Sequence, residues 1–403
     1  MDDQPKPASV SRKRVALAKK ILLASLSMII ALGATELIFR WAGIELPGPE
    51  NRGGGLPPFW EKPTVPLGPV FFKRPGPMQW TGRPLNAFMR RYFGMKNAYP
   101  QEKNITVTYD PQGFRNKEPM TDWDIAVAGD SFVELGYLPY ESLFTSRLGR
   151  LLRRQTKNLG VSGTGPLGYL KIIEDFGLAT HLRDVIVVFF EGNDVRDLEE
   201  EGRSLAFFEK TGTRAYHPKT EDGTRPKGSF FRAVGNWLRA ARARASNARR
   251  LKNAVFVSGA TRTAATVFEK PIQAKDITAE QALWIQEFFK SYAALARRSG
   301  FRPWLAYMPT KLAVLAGYLE FPKKQDPAFV QWTSTDLPEF LRAQADRFGV
   351  LFVNLTPALR RASAAGSITY NPLGDAHLNA EGCAVVAGEL ATALSRKDGG
   401  EDR

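Results

Sequence analysis

Four short polar motifs along the chain contain residue types that carry out acyl-transfer chemistry. They are Gly129-Asp130-Ser131-Phe132, Asn158-Leu159-Gly160-Val161-Ser162-Gly163, Glu191-Gly192-Asn193-Asp194 and Asp375-Ala376-His377-Leu378-Asn379. Taken singly, each motif is also typical of an ordinary turn or helix start. At successive strand ends they together supply a hydroxyl nucleophile, hydrogen-bond donors for an oxyanion and an acid–base pair. The ordered set therefore predicts an active site assembled from four loops.

These motifs require a sheet whose strands end at a common edge. From Ile105 onward, strand-like apolar segments alternate with helix-like amphipathic segments, a pattern typical of a mostly parallel α/β sheet. The predicted strands are 124–129, 156–161, 185–191, 303–308 and 350–355, and the predicted helices are 133–152, 167–179, 278–298, 337–348 and 380–394. We therefore expect a three-layer α/β sandwich in which residues 195–275 form an insertion.

In this order, the four motifs resemble the blocks of the SGNH, or GDSL, hydrolase superfamily, which supply serine, glycine, asparagine and histidine. The resemblance covers roughly residues 107–394 and implies a flavodoxin-like sheet. An ordered set of motifs is far more specific than any one of them. Matched block by block, it implies that Ser131 is the nucleophile, that Gly163 and Asn193 belong to the oxyanion hole, and that His377 is the base. The chain contains no G-x-S-x-G nucleophile elbow.

The chemistry of the residues agrees with these roles. A serine hydroxyl is a poor nucleophile until a neighbouring imidazole takes its proton. The histidines of the chain are His181, His217 and His377. We assign the base to His377 because Asp375, two residues earlier, can orient its ring and stabilise the imidazolium. The Ser131 amide is a further expected oxyanion donor, and Asp130 and Asp194 are expected to support the loops.

The position of Asp375 departs from the pattern of the family esterases, which commonly carry aspartate three residues before the histidine. That position is Gly374 here. The D-x-H spacing is similar to that of the SGNH proteins that include the alginate O-acetylation proteins, and the Met308-Pro309-Thr310-Lys311 turn also fits that subset. The resemblance implies an acylated carbohydrate or another O-acyl ester as substrate. Hydrolysis, acetyl transfer to an exported polysaccharide, and a non-catalytic glycan-binding scaffold of an envelope complex stay open as alternatives.

The first forty residues predict the compartment. Residues 21–39 are apolar with one acid, long enough to span a bilayer, and five Lys and Arg lie within 12–20. Because a basic flank stays in the cytoplasm, we expect a single-pass inner-membrane protein with a cytoplasmic tail at 1–20 and the remaining chain in the periplasm or outside the cell. The alternative is a cleaved signal peptide, since Ala31-Leu32-Gly33 offers small residues at a suitable spacing.

The charge of the chain is concentrated in one segment. The 403 residues contain 56 Lys and Arg against 41 Asp and Glu, a net charge of +15. Between Gly223 and Phe268 there are ten positive residues and no acid, and the pattern predicts a basic amphipathic helix. Contact with anionic lipid, contact with an acidic glycan and a solvated face are the alternatives, and nucleic acid is not expected.

The remaining segments complete the predicted organisation. A stalk rich in Pro, Gly and aromatic residues spans 40–106, the hydrolase-like domain spans 107–396, and a tail spans 397–403. One cysteine, Cys383, and three histidines exclude an internal disulfide and a Cys/His zinc site, and we expect neither metal nor cofactor. Gly163-Thr164-Gly165-Pro166-Leu167-Gly168 is a literal G-x-G-x-x-G, and we favour a glycine-rich turn into a helix over a dinucleotide site.

Overall fold

A computed structural model of the chain describes residues 8–41, 64–213, 230–267, 272–322 and 335–399. The chain divides into two compact units. The N-terminal unit contains Met1–Gly53 and Asp222–Ala245, and the main unit contains Gly54–Glu221 and Ser246–Arg403. His217, most of the predicted tail at 397–403 and parts of the predicted stalk and insertion lie outside the described residues.

The strands and helices alternate along most of the main unit. The strands are β1 (Val65–Leu67), β2 (Phe71–Lys73), β3 (Met78–Gly82), β4 (Ile105–Tyr109), β5 (Ile125–Gly129), β6 (Thr156–Gly160), β7 (Asp184–Phe190), β8 (Lys252–Ser258), β9 (Thr261–Val267), β10 (Arg302–Met308), β11 (Leu319–Glu320) and β12 (Leu351–Asn354). The helices are α1 (Ala8–Trp41), α2 (Pro84–Phe93), α3 (Ser131–Glu134), α4 (Phe144–Leu152), α5 (Pro166–Ile172), α6 (Asp194–Thr211), α7 (Phe230–Arg250), α8 (Ala279–Ser299), α9 (Lys311–Leu315), α10 (Leu337–Phe348), α11 (Thr356–Ala364) and α12 (Ala380–Asp398).

A five-stranded parallel sheet forms the centre of the main unit. Its strand order is β12-β10-β7-β5-β6, and every neighbouring pair is parallel. The middle strand, β7, is a continuous apolar run after Asp184, and all its residues are buried, as a strand covered on both faces requires. The prediction of a mostly parallel α/β sheet is therefore confirmed.

Two hydrophobic clusters cover the two faces of this sheet. Because successive side chains of a strand point to opposite faces, Ile186 and Val188 of β7 belong to one cluster and Val185 and Val187 to the other. The first cluster includes buried side chains of α4 and α12, and the second includes those of α5, α8 and α10. The result is the three-layer arrangement that the alternating sequence predicts.

The predicted helix 133–152 is wrong in its middle. The chain leaves α3 at Leu135, whose φ of 41° is left-handed, forms one 3-10 turn at Tyr140–Ser142, and resumes an α-helix only at Phe144. Gly136 and Pro139 lie between the two helices. The apolar periodicity of this segment continues, but these residues favour a turn, so Ser131 stands at the start of a one-turn helix.

The described part of the predicted stalk contains regular structure. Strands β1 and β2 form an antiparallel pair, and β3 pairs with β4. Arg74, which follows β2, is 1% exposed, although no apolar pattern in the sequence marks it as buried. Helix α2 has Pro84 in its first turn and ends at Gly94 in the left-handed conformation, both common features of helix ends.

The predicted insertion consists of helices followed by a hairpin. It includes α6, α7 and the antiparallel strands β8 and β9, with β11 pairing to β8. Residues 230–245 of α7 belong to the N-terminal unit together with α1. Helix α1 contains an apolar window, Ala16–Ile38, of the length and composition of a membrane span.

Candidate active site

Three of the predicted motifs follow neighbouring strands of the parallel sheet. Ser131 begins α3 directly after β5, Gly163 lies in the loop after β6, and Asn193 occupies the N-cap position of α6 after β7. Because β6, β5 and β7 are parallel neighbours, these loops meet at the carboxyl edge of the sheet. Ser131 and Asn193 are half-buried and Gly163 is exposed, so all three reach the surface at this edge.

Asp375 and His377 form a hydrogen-bonded pair in the loop before α12. The Nδ1 atom of His377 lies 2.8 Å from Oδ1 of Asp375. The other carboxylate oxygen, Oδ2, accepts from Nδ2 of Asn371 at 2.6 Å and from the His377 amide at 3.3 Å. Burial raises the pKa of Asp375, but the charge and hydrogen bond of His377 and the hydrogen bond of Asn371 outweigh it, so the pKa lies below its ordinary value. The carboxylate that faces His377 is therefore ionised at neutral pH.

The imidazole of His377 packs beside the turn that carries Ser131. Its ring centroid lies 4.8 Å from that of Phe132, the residue after the serine, and 5.7 Å from that of Tyr137. The side chain of His377 is 15% exposed. His181 lies elsewhere: its side chain is 75% exposed and pairs with Asp122, which comes before β5 and so near the amino edge of the sheet. Of the two histidines in the described residues, only His377 therefore meets the Ser131 turn.

Asp130 connects Ser131 to Asn193. Its Oδ1 accepts a hydrogen bond from the Phe132 amide at 2.8 Å, and this bond caps the N-terminus of α3. Its Oδ2 lies 3.3 Å from both the Ser131 Oγ and the Asn193 Nδ2. Burial raises the pKa of Asp130 to about 6, although the Phe132 hydrogen bond and the His377 charge oppose this rise. The structure thus brings together the serine, the asparagine and the predicted supporting aspartate.

The Asn193 side chain has a second partner that the sequence analysis missed. Its Nδ2 donates to Asp197 Oδ2 at 2.6 Å, one turn further along α6. Its Oδ1 is buried and accepts no hydrogen bond from the described residues. An acid four residues after a helix-capping asparagine is the signal that could have identified Asp197, because residues four apart share a helix face.

Comparison with known proteins identifies the family. The sequence profile of the GDSL-like lipase/acylhydrolase family matches residues 127–385, which include all four motifs. The chain belongs to this family.

Solved structures similar to this acylhydrolase have low sequence identity to it. One is a lipolytic protein of the G-D-S-L family from Veillonella parvula DSM 2008, with 13% identity, a TM-score of 0.32, and 68% of this chain and 98% of that chain covered. Another is an acetylxylan esterase from Geobacillus stearothermophilus, with 12% identity, a TM-score of 0.33, and 68% and 94% covered. No curated protein sequence matches the chain.

The glycine of the second motif adopts a backbone conformation that favours glycine. Gly163 of this family member has a φ of +81°, where an L side chain is strained. Space is not the constraint, because a Cβ at this position would meet only the Phe72 ring, at 3.9 Å. The left-handed turn fixes the direction of the peptide that leaves β6.

A buried ion pair connects this loop to α3. Glu134, at the end of α3, accepts from Arg74 Nε at 3.0 Å and Nη2 at 3.2 Å, from the Tyr109 hydroxyl at 2.5 Å, and from the Ser162 amide. Arg74 and Glu134 are 1% and 0% exposed. A buried ion pair is stable only when further hydrogen bonds satisfy its charged groups. The Tyr109 hydroxyl and the Ser162 amide provide such bonds to Glu134. The serine helix, the Gly163 loop and the segment before β3 are therefore tied at one carboxylate.

Lys311 holds the backbone of the Asp375 loop of the acylhydrolase through hydrogen bonds. It is 3% exposed, and its ammonium donates to the backbone carbonyls of Asn371 at 2.6 Å, Pro372 at 2.8 Å and Asp375 at 3.4 Å. Its charge also lowers the pKa of Asp375. The sequence analysis noted Lys311 only as part of a turn, because a lysine beside an apolar strand is usually solvated.

The predicted supporting residue Asp194 lies beneath the site. Its Oδ1 accepts from the Tyr169 hydroxyl at 2.8 Å and its Oδ2 from the Phe190 amide at 2.9 Å. Burial, together with the charges of Asp130 and Asp197, raises its pKa well above the ordinary value. Asp194 therefore joins the end of β7 to α5.

The glycine-rich segment 163–168 is a turn into α5 whose amides already have a partner. Glu201 of α6 accepts from the amides of Gly165 at 2.7 Å, Leu167 at 2.9 Å and Gly168 at 3.2 Å. The helix N-terminus that would bind a pyrophosphate in a dinucleotide site is thus bound to a carboxylate of the chain itself. The described residues contain no group of three or more His, Cys, Asp and Glu arranged to hold a metal ion.

Proposed function

We propose that this acylhydrolase is a membrane-anchored serine esterase that acts outside the cytoplasm with Ser131, His377 and Asp375. The observation that carries the proposal is the Asp375–His377 pair, 2.8 Å apart, whose imidazole packs against the residue following Ser131. A serine, an imidazole and an oriented carboxylate at one edge of a sheet are the components of a nucleophilic triad.

The proposed reaction proceeds through an acyl-enzyme. Because Nδ1 of His377 pairs with Asp375, Nε2 is the nitrogen that takes the Ser131 proton as Oγ attacks the ester carbonyl. The resulting imidazolium is stabilised by the ionised Asp375 and returns the proton to the leaving alcohol. Water then attacks the acyl group in the same way and releases the acid.

The oxyanion of each tetrahedral intermediate is assigned to three donors. They are the amides of Ser131 and Gly163 and the Nδ2 of Asn193, which lie on adjacent loops. Before substrate binds, Ser131 Oγ and Asn193 Nδ2 are both 3.3 Å from Asp130 Oδ2, a long separation for a hydrogen bond. Both groups can leave Asp130 for the reacting atoms at little cost, and removing one oxyanion donor typically costs about 3 kcal/mol of transition-state stabilisation.

The proposed location follows from α1. The apolar window Ala16–Ile38 has the length of a membrane span. Arg12, Lys13 and Arg14 come before it, and Lys19 and Lys20 lie in its first turns. This arrangement supports a cytoplasmic N-terminus and a catalytic unit beyond the membrane, and a cleaved signal sequence is the alternative. The proposed substrates are O-acyl groups of a cell-envelope or exported polysaccharide, one of the acyl-ester classes that this compartment offers.

The test is the Ser131→Ala variant, with Ser162→Ala as the matched control at the same edge of the sheet. We expect the wild type to hydrolyse p-nitrophenyl acetate and to react with a fluorophosphonate probe, and Ser131→Ala to lose both. The control should keep both, because the backbone amide of Ser162, rather than its hydroxyl, is the group bound to Glu134. Full esterase activity in folded Ser131→Ala would contradict the assignment.

Hydrolysis and acetyl transfer are separated by the fate of the acyl group. The acetyltransferase is the second candidate, because the D-x-H spacing is similar to that of the alginate O-acetylation proteins. The same three residues can serve water or a sugar hydroxyl as the acceptor. Incubation with a labelled acetyl donor and a bare polysaccharide should release labelled acetate from an esterase. Label recovered on the polysaccharide would identify an acetyltransferase, and absence of both acyl turnover and probe labelling would favour the glycan-binding scaffold.

A further inference from the structure

We propose that α7 is an interfacial helix that binds the surface of an anionic lipid bilayer at the outer end of α1. The inference rests on the proposed membrane span in α1 and goes beyond the esterase, because it assigns a lipid-binding surface to the insertion. The partner is a bilayer whose headgroups carry negative charge.

The charge of α7 fits such a surface. Its 21 residues contain six arginines and no acid, and the acid-free segment continues from Gly223 to Phe268. Among the described side chains of the part within the N-terminal unit, Arg239 and Arg242 are exposed. Basic side chains on an amphipathic helix are attracted to anionic headgroups, whereas a soluble surface helix usually mixes both signs.

An apolar stripe accompanies this charge. Phe231, Val234 and Leu238 are spaced by three and four residues, so they lie on one face of the helix. They are 50%, 36% and 45% exposed, respectively. A helix that places large apolar side chains in water on one face and arginines beside them has the pattern of a helix lying in a membrane interface.

A contact within the N-terminal unit places the start of α7 at the end of the proposed span. The Phe231 amide donates to Glu36 Oε2 at 3.1 Å, and Arg40 pairs with Oε1 of the same carboxylate at 2.8 Å. Glu36 is 9% exposed and lies two residues before Ile38, the last residue of the apolar window. At about 1.5 Å of rise per residue, this contact is within one turn of the boundary between hydrocarbon and headgroups.

Two other partners fit only half of these features. An acidic glycan would neutralise the arginines but leave Phe231, Val234 and Leu238 in water. A second copy of the chain could cover the apolar stripe but would bring two acid-free, arginine-rich helices together. An anionic bilayer accommodates both, because the apolar side chains enter the interface while the long arginine side chains reach the headgroups.

The test places an environment-sensitive fluorophore at single cysteines of the full chain, reconstituted at one copy per nanodisc. Cys383→Ala removes the only native cysteine, which is buried. The labelled positions are Leu238→Cys on the apolar stripe, Ala243→Cys on the opposite, exposed face of α7, and Ile30→Cys within the proposed span. Quenching by spin-labelled lipid is measured in phosphatidylglycerol–phosphatidylcholine discs and in pure phosphatidylcholine discs.

We expect lipid to quench Ile30→Cys in both discs, and Leu238→Cys at least twofold more in the anionic discs than in the zwitterionic ones. Ala243→Cys should be quenched at least twofold less than Leu238→Cys. The double change Arg239→Gln and Arg242→Gln should remove most of the dependence on phosphatidylglycerol. These results together would support the interfacial helix.

Other outcomes overturn the proposal in distinguishable ways. Quenching at Ile30 without quenching at Leu238 would refute the interfacial helix and leave the anchor intact, whereas loss of both would refute the anchor. If the fluorophore at position 238 is shielded from water only when each disc holds two copies, the result would identify self-association. A change in the fluorescence of the label at position 238 on addition of polyuronate, with no quenching by lipid, would identify a glycan-binding surface instead.

Discussion

The substitution Asp375→Asn tests the proposed triad at one atom. It keeps the size of the side chain but replaces one carboxylate oxygen with an NH2 group. If that group takes the position of Oδ1, it faces the His377 Nδ1 at 2.8 Å and forces the ring into the tautomer whose Nε2 carries a proton. If it takes the position of Oδ2, it faces the Asn371 Nδ2 at 2.6 Å and the His377 amide at 3.3 Å, both donors. The first orientation gives the ring the wrong tautomer, and the second sets donor against donor in the loop that holds the ring, so neither keeps the wild-type geometry.

The expected loss follows from these contacts. A triad histidine held in the wrong tautomer typically loses about 10⁴ in kcat, which corresponds to about 5 kcal/mol of transition-state stabilisation. Asp375→Asn also removes the charge that stabilises the imidazolium. The asparagine can still pack in the same cavity, so we expect the loss to appear in kcat rather than in KM.

The assay is steady-state hydrolysis of p-nitrophenyl acetate by the full chain, with circular dichroism to verify folding. The control is Asp122→Asn, because Asp122 pairs with His181 in the same way but on the surface, where the side chains are 33% and 75% exposed. The control should change kcat less than twofold. If Asp375→Asn keeps more than a tenth of the wild-type kcat, Asp375 does not orient the base.

Three further predictions concern the groups that support the site. Lys311→Met removes the ammonium donor from the Asn371, Pro372 and Asp375 carbonyls, of which Pro372 keeps the Thr266 amide at 2.8 Å. Unfolding in urea should therefore show a loss of about 2–4 kcal/mol, accompanied by lower kcat/KM; unchanged stability would exclude the supporting role. Glu134→Gln leaves Arg74 buried without its counter-charge and should lower the free energy of unfolding by about 3 kcal/mol, and a change below 1 kcal/mol would show that the pair is not desolvated. The pKa of Asp130 is about 6 in the folded chain against an ordinary 3.8, so its contribution to stability is present below about pH 4 and is lost as the pH rises through 6. Unfolding curves from pH 4 to 8 should therefore show Asp130→Asn gaining roughly 3 kcal/mol relative to wild type over that range, and parallel curves would disprove the raised pKa.

The parallel sheet could be predicted from sequence because its signals are local. After Asp184, strand β7 is an unbroken run of β-branched and aromatic residues, and the predicted bounds of α10 agree with those of the structure, Leu337–Phe348. The residues of the first three motifs could also be located, because they directly follow β5, β6 and β7. Asp375 and His377 instead lie in the loop between α11 and α12. Their catalytic roles stay predictions until the variants are measured.

The supporting residues could not be predicted because their partners are distant in the chain. Arg74 and Glu134 are 60 residues apart, and Lys311 reaches carbonyls about 60 residues further on. Nothing in the neighbouring sequence distinguishes these charges from solvated ones. The break after α3 was missed for the opposite reason: the apolar periodicity continued across it while Gly136 and Pro139 redirected the backbone.

For the proposed membrane-anchored form, the contact between Arg74 and Glu134 also determines where the chain could be cut without loss of the site. A protease that cut the chain after Arg74 would remove the guanidinium that pairs with Glu134, the carboxylate that binds the Ser162 amide beside Gly163. A cut before Arg74 would leave the pair intact. If the proposed anchor is correct, release of an active esterase therefore requires cleavage on the N-terminal side of Arg74, and cleavage on its C-terminal side would inactivate the enzyme.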